Sequence, residues 1–153
     1  MIIVLLLLFI ISNIISYIRQ PDLGSTRLPK IDVELIDGSK FKYQEGKPLI
    51  LHFWAASCPA CKFEAPNIVT ISIDLVVLSI ALNSGSDVNI KLYMQENELS
   101  FKVVNVSDGE WGRAFKISVY PTTFIYDAKG ELRFTEVGYT TTAGLLARLE
   151  WIE

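Results

Sequence analysis

The chain has 153 residues, half of them hydrophobic, 20% charged and 11% aromatic, with 14 basic against 17 acidic side chains for a net charge of −3. That length suits one domain of ordinary size. The charge balance leaves no basic footprint for nucleic acid, and no run of like charges offers a polybasic membrane patch.

Residues Met1 to Ile18 hold no charge; Ile2 to Phe9 are wholly apolar, and Ser12, Asn13, Ser16 and Tyr17 dilute only the second half. As a helix this stretch rises roughly 26 Å, just short of a ~30 Å hydrocarbon core. It is apolar on every face, unlike a helix of a globular core. With no clear small-x-small site before Arg19, it is expected to be an uncleaved transmembrane anchor over residues 1–18; a cleaved signal peptide is the alternative. Arg19, Arg27 and Lys30 follow it and no basic residue precedes it, a bias that alone would turn the rest of the chain inward. Residues 19–30, with two prolines and a glycine, read as a linker to a domain over 31–153.

In that domain Ile31, Val33 and Leu35 alternate with charged residues, Asp37-Gly38 marks a tight turn, and Phe41 and Tyr43 alternate again. That pattern predicts a β-hairpin. Pro48 to Trp54 is a near-continuous apolar run, as in a strand buried on both faces. A helix is expected from Ser57 to about Ile71, a buried strand over Leu75–Leu82, and a helix over Ser86–Leu99 opened by the cap-like Ser86-Asp87. A short strand Phe101–Val106 and a short helix Asp108–Phe115 follow. Val119–Tyr126 reads as a strand opening on Pro121, Asp127–Gly130 as a turn, Leu132–Val137 as a strand and Thr141–Trp151 as a closing helix. The alternating middle implies parallel strands with helical crossovers and the final pair an antiparallel hairpin. The expected fold is an α/β mixed sheet with helices on both faces.

The chemistry-bearing residues are few: two cysteines, Cys58 and Cys61, and one histidine, His52. Cys58-Pro59-Ala60-Cys61 follows a buried strand and opens a helix. A helix N-terminus stabilises a thiolate, so Cys58 is the expected nucleophile, with Pro59 favoured in the first turn. Cys61 lies almost one turn on, so its sulfur can reach Cys58 and resolve a mixed disulfide. A structural zinc site would need four ligands, more than two cysteines and one histidine provide. A Cu(I) site on the two thiolates and a pair of inert buried thiols stay open at this point.

The stretch Leu49 to Pro66, LILHFWAASCPACKFEAP, resembles the active-site segment of the thioredoxin superfamily, with Phe53-Trp54 leading into the cysteine pair and Pro66 five residues after Cys61. Tyr120-Pro121-Thr122-Thr123 resembles the cis-proline loop that faces the pair in that superfamily. The likeness covers about residues 31–153 and is greatest to the membrane-anchored, periplasm-facing TlpA and ResA branch, in particular to suppressor-of-copper-sensitivity D proteins. The resemblance implies a thioredoxin-like fold with an N-terminal hairpin, and a thiol:disulfide oxidoreductase exchanging a Cys58–Cys61 disulfide with protein clients. Tyr120, Pro121, Trp54 and Pro59 would border the client.

The resemblance also implies a domain in the periplasm, held at the bacterial inner membrane by a single-pass helix, with a role in copper tolerance or cytochrome c maturation. It implies no cofactor beyond the redox disulfide; Cu(I) enters only under the alternative of a tethered metal carrier. The membrane electron donor or acceptor is not named by any residue. The superfamily places a buried aspartate where this chain has His52, which can shuttle a proton to or from Cys61 or serve as a hydrogen-bonded core residue. Glu64, one helical turn after Cys61, matches an active-site glutamate of the ResA-like branch and is the expected proton acceptor. Ser57 stands where tryptophan is common in the family. Trp111, in the short helix, is expected in the core.

Overall fold

The computed structural model describes residues 1–106 and 109–152. Helix α1 (Ile2–Ile18) is followed by a hairpin, β1 (Asp32–Glu34) and β2 (Lys40–Lys42). Then come β3 (Leu49–Trp54), α2 (Pro59–Ile71), β4 (Val76–Leu82), α3 (Asp87–Glu96) and β5 (Lys102–Val106). The chain closes with α4 (Glu110–Ala114), β6 (Thr122–Tyr126), β7 (Leu132–Val137) and α5 (Thr142–Glu150). The expected cap of the short helix, Asp108, lies outside the described residues.

Five strands form one sheet in the order β5-β4-β3-β6-β7. β3, β4 and β5 are parallel, joined by α2 and α3, while β6 and β7 are antiparallel to their neighbours. β3 is central and buried along its whole length, as its near-continuous apolar sequence, broken only by His52, requires. Its side chains alternate between faces. Ile50 and Trp54 join the core under α2, α3 and α5. Leu49, Leu51 and Phe53 join the opposite core, where Phe53, Phe115 and Phe124 pack with ring centroids 5.0–5.7 Å apart.

The hairpin closes over Asp37-Gly38 as its sequence predicts: Gly38 takes φ +87°, and the Asp37 carboxylate accepts from the backbone and hydroxyl of Ser39. It covers the β5 edge, with Ile36 N–H donating to Val103. Helix α3 is capped by Ser86, whose hydroxyl accepts from Asn89 N–H, and α5 by Thr141.

The stretch 19–30, expected as a linker, is seated on the sheet. The Ser16 hydroxyl accepts from the buried Val137 N–H, and the Gln20 amide donates to Thr135 C=O at 2.7 Å. Leu132 N–H donates to Thr26 and Leu28 N–H to Gly130, with Arg27 bridged antiparallel to Glu131. Residues 16–28 thus form a strap running antiparallel along the outer edge of β7. Helix α1 has 17 residues, and among the described residues no helix is long and apolar enough to cross a membrane.

Candidate active site

Cys58 is the N-cap of α2, in extended conformation, and Pro59 occupies the first turn. Cys58 is half-buried and Pro59 exposed, while Cys61 is buried. The two sulfurs are joined in a disulfide with Cα atoms 5.3 Å apart. Cys61 N–H donates to Cys58 Sγ at 3.1 Å, so the free amides of the helix start converge on the outer sulfur, where a thiolate would form. One sulfur is presented and the other protected.

The buried face of α2 consists of Cys61, Glu64, Ala65, Ile68 and Ile71, a helical stripe in which Glu64 alone carries a carboxyl. Glu64 is 0% exposed. Its Oε1 accepts from Thr140 N–H at 2.6 Å, and its Oε2 lacks a hydrogen-bond partner. That second oxygen lies 3.6 Å from His52 Nδ1, and the same ring nitrogen is 3.1 Å from Thr123 Oγ1. His52 is 1% exposed.

Strand register explains the gathering. His52 on β3 stands opposite Ser79 on β4 and Thr123 on β6, and Thr123 stands opposite Glu136 on β7. A polar row therefore crosses the sheet beneath α2 and ends at Glu136, which is paired with Arg148 of α5 at 2.6 Å. Burial pushes the Glu64 carboxyl up to about 8, against the lowering effect of the Thr140 N–H, and pushes the His52 imidazole down to about 3. Both shifts favour the uncharged form. The 3.6 Å approach is thus a contact between a carboxylic acid and a neutral imidazole at neutral pH, not an ion pair.

The Tyr120–Pro121 bond is cis, as the resemblance implied. Pro121 is buried and Tyr120 half-buried, and the Tyr120 hydroxyl accepts from the Asn83 amide. Pro121 C=O accepts from Gly138 N–H. Trp54 requires a correction. Expected beside the client, it is 2% exposed, stacked on Tyr93 and edge-on to Phe101, with its indole N–H unpartnered. Alternation along β3 turns it beneath the helices, into the core that holds Cys61 and against which Cys58 packs, so it backs the pair but is not exposed to a client. Trp111 is half-buried against Phe115. Sequence reading did not single out Thr123 as a partner of His52, although it belongs to the Tyr120–Thr123 motif. Thr140 carries no signal at all, because it acts through its backbone. Among the described residues no cluster of three or more His, Cys, Asp or Glu side chains is gathered as for a metal ion.

Comparisons with known proteins agree with this geometry. The chain is 31% identical over 116 residues to the sporulation thiol-disulfide oxidoreductase A of Bacillus subtilis, covering 71% of this chain and 68% of that one. It is 29% identical over 148 residues to a thioredoxin-like protein of Haemophilus influenzae, covering 94% and 87%. The crystal structure of StoA from Bacillus subtilis superposes with a TM-score of 0.69 at 28% identity, over 82% of this chain and 97% of that one. A thiol:disulfide interchange protein of Chlorobium tepidum gives 0.74 at 27% identity, over 86% and 99%. Residues 25–135 match the model of the AhpC/TSA family. The chain belongs to that family, in its ResA- and StoA-like, thioredoxin-fold branch of thiol:disulfide oxidoreductases.

Proposed function

We propose that the chain is a membrane-anchored, periplasmic thiol:disulfide oxidoreductase that exchanges disulfides with protein clients through Cys58. One observation carries the reading: a half-exposed Cys58 at the start of α2 with a buried Cys61 bonded behind it. In the reducing direction the Cys58 thiolate attacks a client disulfide, forming a mixed disulfide and releasing one client thiolate. Cys61 then loses its proton and attacks Cys58 Sγ, releasing the second client thiolate and restoring the Cys58–Cys61 disulfide. In the oxidising direction the same steps run backward. Glu64, one turn from Cys61 and held near 8, accepts the Cys61 proton in its ionised form, so the resolving step should quicken as pH rises toward 8. Thr123 holds the His52 ring, which faces the second Glu64 oxygen across 3.6 Å. Pro59, Tyr120 and Pro121 border the client.

Helix α1 serves as the single anchor in the inner membrane. Its exposed, wholly apolar residues Ile2 to Ile11 enter the lipid while Ser16 stays on β7, and a bilayer thins locally to meet a short apolar segment at a modest cost. Clients include thiols of proteins handling copper or awaiting haem attachment. The Cu(I)-carrier alternative uses the same two sulfurs and predicts copper retention without turnover.

Cys61→Ser should trap a mixed disulfide with disulfide-bonded protein clients, and Cys58→Ser should trap none. Iodoacetamide at mildly acidic pH should label Cys58 of the reduced protein well before Cys61. Equal labelling, or trapping through Cys61, refutes the assignment.

A further inference from the structure

We propose that the strap and α1 hold the domain with its redox end turned toward the lipid bilayer, so that a thiol partner held at the membrane surface is the one it meets. This rests on the reading of α1 as a lipid-inserted segment.

Phe53 of β3 stands opposite Thr122, and Thr122 opposite Val137. Val137 therefore marks the end of the sheet at which β3 delivers Cys58. The Ser16 hydroxyl is fixed to Val137 N–H, and Gln20, Thr26 and Leu28 follow back along β7 toward the opposite end. Upstream of Ser16, α1 therefore runs outward past the redox end. There Phe9, Ser12 and Asn13 line a cavity of about 240 Å³ together with Tyr139, Thr140 and Thr141. Thr140 is the residue whose N–H holds Glu64. β7 lies two strands from β3, about 10 Å, so the helix emerges beside the cysteine pair.

What surrounds α1 is fixed by its composition. Ile2 to Ile11 are exposed on every side. A helix seated in a protein groove needs one apolar face, whereas lipid accepts apolar side chains all round.

Four loops at the redox end, 55–59, 83–86, 117–121 and 138–141, contain no charged residue, and charge at that end lies in the helices beside them, at Lys62, Asp87, Glu110 and Arg113, and at Lys116. Phe63, 75% exposed, and Tyr139, 52% exposed, stand beside them. Aromatic side chains suit the boundary between headgroups and hydrocarbon. Four loops at the opposite end, 44–48, 72–75, 97–101 and 127–131, each carry charge: Glu45 and Lys47, Asp74, Glu98, and Asp127 with Lys129 and Glu131.

The test uses the full chain with both cysteines changed to serine and one new cysteine bearing a fluorophore, at Phe63→Cys or Lys129→Cys. The protein is mixed with phosphatidylethanolamine–phosphatidylglycerol vesicles containing nitroxide-headgroup lipid. Both forms should float with the vesicles. The label at 63 should be quenched and the label at 129 spared, since the ends lie roughly 20 Å apart along a six-residue strand. Failure to float overturns the anchor reading. Flotation with equal quenching, or stronger quenching at 129, overturns the orientation alone. With both native cysteines present, Ser16→Val combined with Gln20→Ala should slow exchange with a dithiol peptide tethered to a lipid headgroup several-fold, and leave exchange with the free peptide unchanged. Equal rates with the tethered peptide for that variant and the native chain also overturn it.

Discussion

Glu64 occupies a place on α2 that an apolar residue would fill at lower cost, between Cys61 and Ile68 on the buried stripe. Its neutral pairing with His52 makes stability depend on pH from both sides. Between its ordinary value near 4.5 and about 8, Glu64 holds a proton in the native state that the unfolded chain has released, so stability falls as pH rises through that window. His52 is lowered from 6.5 to about 3, so in that interval the unfolded chain holds the extra proton and stability falls as pH drops. The two slopes cancel between about 4.5 and 6.5 and leave a plateau, with losses on the order of a few kcal/mol on either side. Urea midpoints followed from about pH 3 to pH 9 should show that plateau, and His52→Asn with Glu64→Gln should flatten the profile. A native profile without a decline above about 6.5 contradicts the neutral pair. Glu64 was legible as a site residue because it stands three residues after Cys61 near the same helix face and matches a glutamate of the ResA-like branch. The depth at which Trp54 lies was not, because burial at the end of a strand is set by what packs over it, here Tyr93 and Phe101.

Elements with strong local signals appear where the sequence places them. The helix expected from Ser57 begins at Pro59, and the strand expected from Val119 begins at Thr122, one residue after a proline that cannot donate to the ladder. The strap escaped sequence reading for a physical reason. Its contacts join residues more than a hundred positions apart, through two polar side chains and a few backbone groups, and such pairing has no period. Those contacts are nonetheless strong enough to measure. Ser16→Val leaves the buried Val137 N–H without a partner, which should cost about 1–3 kcal/mol. Amide exchange at Val137 should speed accordingly, while Thr123 in the sheet interior should change only as global stability does. Unchanged protection at Val137 would mean that α1 does not seat on β7 in solution.

At the scale of the whole molecule, the order of apolar strands and helical crossovers was enough to read the architecture, since few topologies satisfy it. What composition did not reveal is that both margins of the sheet are closed by the N-terminal quarter of the chain. The hairpin bonds to β5 through Ile36, and residues 16–28 lie along β7. An open margin is a template on which a second chain can build. A fragment cut to begin at Ile31, chosen to obtain the domain without its apolar helix, would keep the first closure and lose the second. It should self-associate in a concentration-dependent way by light scattering, whereas a fragment beginning at Ser12 should remain a monomer under the same conditions. The segment proposed to attach this protein to a membrane would thus also keep its copies from joining edge to edge.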